Sequence, residues 1–309
     1  MSTTNFSSGR SHTKSFQELP CSPFSMGGLQ QQPSIFFSAV HILLSITAFA
    51  GNFLILVALH KESSLHPPSK LLYRCLATTD LLVGLVAQPL YALSRMSVVQ
   101  EHRSLCRYVR DATYITAYVL ILVSLMTMTA LSVDRLLALL LGLRYKQIVT
   151  LKRTYIIVTT FWVFNFVASL SKLFHHRIAD WYGFLVISFC LVISVASYTK
   201  IFCTLRYHQA QVRDQQQLSQ TNALNMARFR KAVYSALWVQ LVLVVCYVPG
   251  YTVGIVIPHT KNYSSLLVVT WSVTGTLLYF NSTLNPFLYC WKINEVRKAV
   301  KQTLKEALC

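Results

Sequence analysis

Six stretches of this chain, at 36–59, 112–133, 155–170, 181–199, 232–257 and 265–291, contain no Asp, Glu, Lys or Arg. A seventh, at 75–93, contains a single charge, Asp80. A helix that crosses a bilayer needs ~20 mainly apolar residues, because hydrocarbon solvates neither charges nor unpaired backbone groups. Charged residues make up only 12% of the 309-residue chain, roughly half the ~25% typical of soluble domains. Seven such blocks exclude a soluble enzyme. They predict an all-α membrane protein, a seven-transmembrane helix bundle over 34–291. A polar tail at 1–33 precedes it, and a short amphipathic cytoplasmic helix at 292–309 follows.

The tail lacks the basic stretch and short apolar core of a cleavable signal peptide, so the first span is expected to direct its own insertion. About two thirds of the 28 Lys and Arg fall on one side of the bundle, in the connections 60–74, 135–153 and 200–231 and the segment 292–309. The positive-inside rule makes that side cytoplasmic and the N-terminus extracellular. Two N-glycosylation sequons, at Asn5 and Asn262, fall on the expected outer side; a third, at Asn281, lies within a span. The net charge of +18 follows mostly from the same bias, so anionic inner-leaflet lipid is the expected partner and nucleic acid is not. On the outer side Arg95, Arg103, Arg107 and Arg110 cluster near spans two and three, a pattern that suits an anionic ligand or simply solvated loops. Only Cys21 and Cys106 lie on the oxidising side, which leaves a disulfide between them open.

An ionisable side chain inside a bilayer marks a functional hypothesis, and Asp80 reads as the only one deep in the bundle. An isolated carboxylate fits a structural or regulatory cation site, or a neutral hydrogen-bonded Asp, better than a proton relay. Asn281, Ser282 and Asn285 share one face of the last span, just before Pro286. Pro89, Pro249 and Pro286 each free backbone carbonyls and favour kinks. Kinked helices around a polar centre point to a bundle with two packings.

Several motifs, in order and each on its own span, resemble the rhodopsin-like (class A) G protein-coupled receptors. They are Gly51-Asn52, Leu76-Ala77-Thr78-Thr79-Asp80, Asp134-Arg135-Leu136 with Leu143-Arg144-Tyr145, Trp162, Tyr198, Cys246-Tyr247-Val248-Pro249 and Asn285-Pro286-Phe287-Leu288-Tyr289. The resemblance implies that Asp134, Arg135, Leu143, Arg144, Tyr198 and Tyr289 couple to a heterotrimeric G protein. It makes Cys246, Tyr247, Pro249, Asn285, Pro286 and Tyr289 the activation switch, with Tyr198 and Tyr289 meeting near Arg135 on activation. It also implies an allosteric sodium ion at Asp80, Ser124, Asn281, Ser282 and Asn285, oxygen donors suited to a hard cation. No cofactor is required.

The departures from the pattern carry information. Leu136 replaces the usual Tyr, Gly142 stands where Pro is common, and Tyr247 replaces the usual Trp of span six. The inner end of span six reads Arg228-Phe229-Arg230-Lys231, without the acid that often clamps Arg135, so basal activity is expected. Arg110 stands where the family's usual span-three cysteine would be, and the short second outer loop, about 172–180, has no Cys. Cys190 takes the place of the span-five Pro. These absences are similar to the melanocortin, lysophospholipid and cannabinoid branch.

Tyr279 occupies the position of the retinal-binding Lys, which excludes retinal, and Ala117 that of the amine-binding Asp. The ligand-pocket candidates are Tyr91, Tyr114, Ala117, Tyr118, Tyr251, Trp271 and Tyr279, whose rings suit a lipid or a short peptide. The expectation is a plasma-membrane receptor for an extracellular ligand. The alternatives are a receptor-like protein that does not couple and, less well supported, a transporter.

Overall fold

The computed structural model describes residues 31–61, 65–215, 241–256, 265–292 and 294–308. These are helical apart from short connections, and no strand occurs among them. The first span is α1 (Gln31–Lys61) and the second is α2 (Pro67–Leu82) continued by α3 (Gln88–Val99). The third is α4 (Arg103–Leu141), followed by a 3-10 turn (Gly142–Arg144) and α5 (Tyr145–Ile148). Spans four and five are α6 (Leu151–Phe174) and α7 (His176–Gln215), span six is α8 (Leu241–Val256), and span seven is α9 (Ser265–Lys292), with α10 (Asn294–Leu308) after it. The outer connection expected at 172–180 is shorter still, since only His175 separates α6 from α7.

Hydrophobicity does not sort residues to the interior here, because lipid is as apolar as the core. Large apolar side chains such as Leu43, Ile46 and Phe53 on α1 and Ile156, Phe164 and Phe166 on α6 face outward. Inside are Ser, Thr and Asn side chains, many hydroxyls bonding the carbonyl one turn back, as Thr127 does to Val123 and Ser132 to Met128. The centre of the bundle is α4, which packs against α2, α3, α6 and α7.

Close approach in the bundle depends on small residues. Gly51 faces the Pro286 ring, with 2.9 Å between an added Cβ and the ring. Beside it Asn52 donates to the carbonyls of Ala48 and Ser282 at 2.8 and 3.0 Å, tying α1 to α9. Gly84 presses on the α1 backbone, and Ser45 Oγ donates to its carbonyl at 2.6 Å. The second span is irregular at this place: Val83–Ala87 forms a π turn, and Gln88 N–H donates to Val83 O. Pro89 has no N–H and its ring would strike the carbonyl four residues back; the wider turn absorbs that conflict. The surface helix α10 buries Val296 and Val300, four residues apart, in the core cluster that holds Ile55 and Leu59 of α1.

A candidate ligand cavity and signalling core

At the inner end, as the basic residues orient the bundle, Asp134 at the foot of α4 is buried. It accepts hydrogen bonds from Tyr145 Oη of α5 at 2.6 Å and Ser69 Oγ of α2 at 2.9 Å. Arg135 Nη2 lies 3.5 Å from the same carboxylate, and its guanidinium sits 5.6 Å over the Tyr73 ring. Gly142 closes α4 with φ of 51°, a value proline cannot take. A glycine here in place of the common Pro is therefore what this turn requires. Leu143 on the turn is 96% exposed, and Arg144 beside it is exposed as well.

Mid-bundle, Asp80 is fully buried, as are Ser124, Asn281, Ser282 and Asn285. Ser124 Oγ donates to Asp80 Oδ1 at 3.1 Å and Asn285 Nδ2 to Oδ2 at 2.6 Å, which joins α2, α4 and α9 on one carboxylate. Asn281 Nδ2 faces Met128 Sδ at 3.5 Å, and its Oδ1 is buried without a partner. Asn52 Oδ1 and Tyr289 Oη are orphaned in the same way. Buried polar atoms are normally paired with protein, water or an ion, so each of these atoms lies where a water or an ion would satisfy it. Tyr247 is buried too, with its hydroxyl 3.5 Å from Ile121 O, and Cys246 packs in the same core.

Between the outer halves of α3, α4, α7 and α9 lies a cavity of about 270 Å³, lined by Tyr91, Tyr114, Ala117, Tyr118, Trp271 and Tyr279. Apolar groups including Ile121, Leu122, Ile187 and Leu278 complete its walls, and Arg95 and Arg110 stand among the lining residues. Ligand pockets usually run from ~300 to ~1,000 Å³, so this one suits a small molecule.

A profile of the family described as 7 transmembrane receptor (rhodopsin family) matches residues 51–181 and 175–289. This chain belongs to that family. Adenosine receptor A3 of Ovis aries is 24% identical over 303 residues, covering 88% of this chain and 90% of its own. Melanocortin receptor 5 of Bos taurus is also 24% identical, over 87% of this chain and 83% of its own. Its counterpart from Mus musculus is 22% identical over the same shares. The melanocortin matches agree with the branch the sequence resembles.

The receptor's predicted residues fall into three places. Six of the pocket candidates line the cavity, but Tyr251 does not. Its hydroxyl lies 2.8 Å from Ser188 Oγ and its ring meets Phe184 edge-on, so it braces α8 against α7. Tyr198 and Tyr289 are both buried but sit in separate clusters, the first with Ile201, Leu136 and Leu139, the second in the main core against Tyr73. Pro249 accepts from Thr252 through its carbonyl, and Pro286 lies inside α9. Asn5, Asn262, Cys21 and 228–231 lie outside the described residues. Cys106 is disulfide-bonded.

Asp80 is not the only ionisable group deep in the receptor. His41 of α1 is completely buried, with Nε2 3.1 Å from Thr276 Oγ1 and its ring 4.0 Å from that of Tyr91. A uniformly apolar span gives no sign of which way a lone His turns. Ser69 and Tyr73 were equally hidden, because their partners come from other elements.

Proposed function

We propose that this receptor sits in the plasma membrane with its N-terminus outside, takes an extracellular ligand into the aromatic cavity, and catalyses nucleotide exchange on a heterotrimeric G protein at its inner end. The observation that carries the reading is the inner end itself. A buried Asp134 holds a half-buried Arg135 while Leu143 is held out, almost wholly exposed, on a glycine-closed turn. A large exposed apolar side chain among basic residues suits insertion into a partner. The names of the relatives refer to two unrelated ligands at equal identity, so kinship does not choose between a lipid and a short peptide.

Basal activity belongs to this reading, because the stretch Arg228-Phe229-Arg230-Lys231 offers Arg135 no acid. Ligand-free nucleotide exchange across the G protein families, at matched surface expression, tests both points. Wild type is expected to give a signal that Arg135→Ala lacks. A signal unchanged by Arg135→Ala, or none in wild type with or without ligand, would sink the reading. Cys106 is proposed to pair with Cys21, the other cysteine on the oxidising side, and Asn5 and Asn262 to carry glycans.

The Asp80 cluster fits a sodium ion, supported by the orphaned Asn281 Oδ1 beside a carboxylate and two hydroxyls. Sodium bound there would favour the packing seen here by preferring it. Replacing potassium by sodium is expected to lower basal exchange, by at most about tenfold at ten times the dissociation constant. Asp80→Asn is expected to remove that dependence, and an equal sodium response in the variant would refute the site.

A further inference from the structure

We infer that the outer cavity takes a small anionic amphiphile, with its carboxylate or phosphate head on Arg95 and its chain among the aromatic rings. The inference rests on the reading of that cavity as the receptor's ligand site, and it names the ligand's chemical class. Two of the lining residues carry formal charge, Arg95 and Arg110, and none is acidic. Arg110 is paired with Asp111, Nη2 to Oδ1, at 3.0 Å. Arg95 has a different environment. Among the described residues its partners are all neutral: Tyr91 Oη at 2.9 Å from Nη2 and 3.2 Å from Nε, the Ser272 hydroxyl, and the face of the Tyr91 ring.

Those contacts join α3 to α9 across the mouth of the cavity and fix the guanidinium without neutralising it. Arg95 is half-buried and Ser272 buried, so the charge is held in a partly desolvated place. A guanidinium so placed gains most from an oxyanion, which it meets through charge-assisted, often bidentate hydrogen bonds. A neutral head group would only replace hydroxyl partners that Arg95 already has, and an ammonium head would be repelled. Below the mouth, Ala117, Ile121, Leu122, Ile187, Leu278 and the tyrosine rings offer an apolar slot. The cavity as a whole, about 270 Å³, accommodates one short chain and is too small to enclose a folded peptide.

The contrasting role for Arg95 is a structural clip between α3 and α9, and it makes different predictions. The test uses the full-length receptor purified into zwitterionic nanodiscs. Its Tm is followed against n-decanoate, n-decyl phosphate, n-decanol and n-decylammonium, with nucleotide exchange read in parallel. At least one anion should raise Tm saturably, and the relative strength of the two tells carboxylate from phosphate. Decanol should act at least about tenfold more weakly and decylammonium not at all. Arg95→Gln should weaken the anion response by on the order of tenfold to a hundredfold, and Arg95→Lys should keep part of it.

Should Arg95→Gln fail to fold, Gly275→Val serves instead. Gly275 lines the cavity and a Cβ there meets nothing within 4 Å, so the variant fills the slot without touching Arg95 and should abolish the response. The inference falls if decanol matches decanoate, if either variant responds like wild type, or if neither anion moves Tm. Arg95-dependent binding without exchange would count against coupling alone. Arg135-dependent basal exchange with no anion response would count against this inference alone.

Discussion

Gly84→Ala is expected to remove most folded receptor from the cell surface and to lower the Tm of what can be purified by several degrees. A Cβ at Gly84 would lie 2.7 Å from Phe49 N and 2.9 Å from Ser45 O, both backbone atoms of α1, and 3.1 Å from Ala48 Cβ. No rotamer change relieves a clash with backbone. The first and second spans would have to separate, which would stretch the 2.6 Å bond from Ser45 Oγ to Gly84 O. Overpacking of this kind costs about 1–3 kcal/mol, occasionally more, and two rigid backbone contacts put Gly84→Ala at the upper end. Gly250→Ala is the control. Its Cβ would meet Leu278 Cδ1 at 3.3 Å, the end of a flexible side chain, and Ala gains roughly 0.5–1 kcal/mol over Gly in a helix. Gly250→Ala should therefore stay near wild type in surface expression and Tm. Equal behaviour of the two variants would show that the α1–span-two contact is not tight.

That contact also shows where reading the sequence stops. The seven blocks were legible because a bilayer demands uninterrupted apolar length, and it is length, not pattern, that declares a span. Asp80 and Asn285 were legible because a charge in such a block is rare and a polar face beside a proline stands out, and the two meet at 2.6 Å; Ser124, 3.1 Å from Asp80, came only through the family resemblance. Rotation of a helix about its own axis is another matter. In a span apolar on every side, nothing local says that Gly84 meets α1, that His41 turns inward, or that Tyr251 turns to Ser188 and away from the cavity. The Arg cluster near spans two and three was visible, but not that Arg95, among the described residues, reaches across to the Ser272 hydroxyl on the last span. Such facts come from neighbours distant in sequence: Ser69 and Asp134 are 65 residues apart, Arg95 and Ser272 177.

The second large effect concerns the inner end, where neighbouring substitutions should act in opposite directions. Asp134→Ala is expected to raise ligand-free nucleotide exchange and Arg135→Ala to abolish it. With no acid among Arg228-Phe229-Arg230-Lys231, the acid that restrains Arg135 is its neighbour Asp134, held in turn by Tyr145 and Ser69, with the Tyr73 ring as a second contact. The lock thus joins α2, α4 and α5 and engages no acid of span six. Removing the carboxylate releases Arg135 and unties Tyr145 from α4. Hydrogen bonds to a charged group are worth about 1.5–3 kcal/mol each, yet only the part that differs between the two packings moves their equilibrium. A net difference of ~1.4 kcal/mol gives about a tenfold rise in basal exchange for Asp134→Ala. Tyr145→Phe keeps the ion pair and removes one hydroxyl, so its rise should be smaller, roughly threefold. Arg135→Ala removes the group proposed to engage the G protein and should be silent whether or not Asp134 is present. The double variant Asp134→Ala with Arg135→Ala should therefore be silent too. Basal exchange at matched surface expression decides the matter: if Asp134→Ala and Tyr145→Phe both equal wild type, the lock does not set the resting state. A signal that survives in the double variant would show that Arg135 does not carry the coupling.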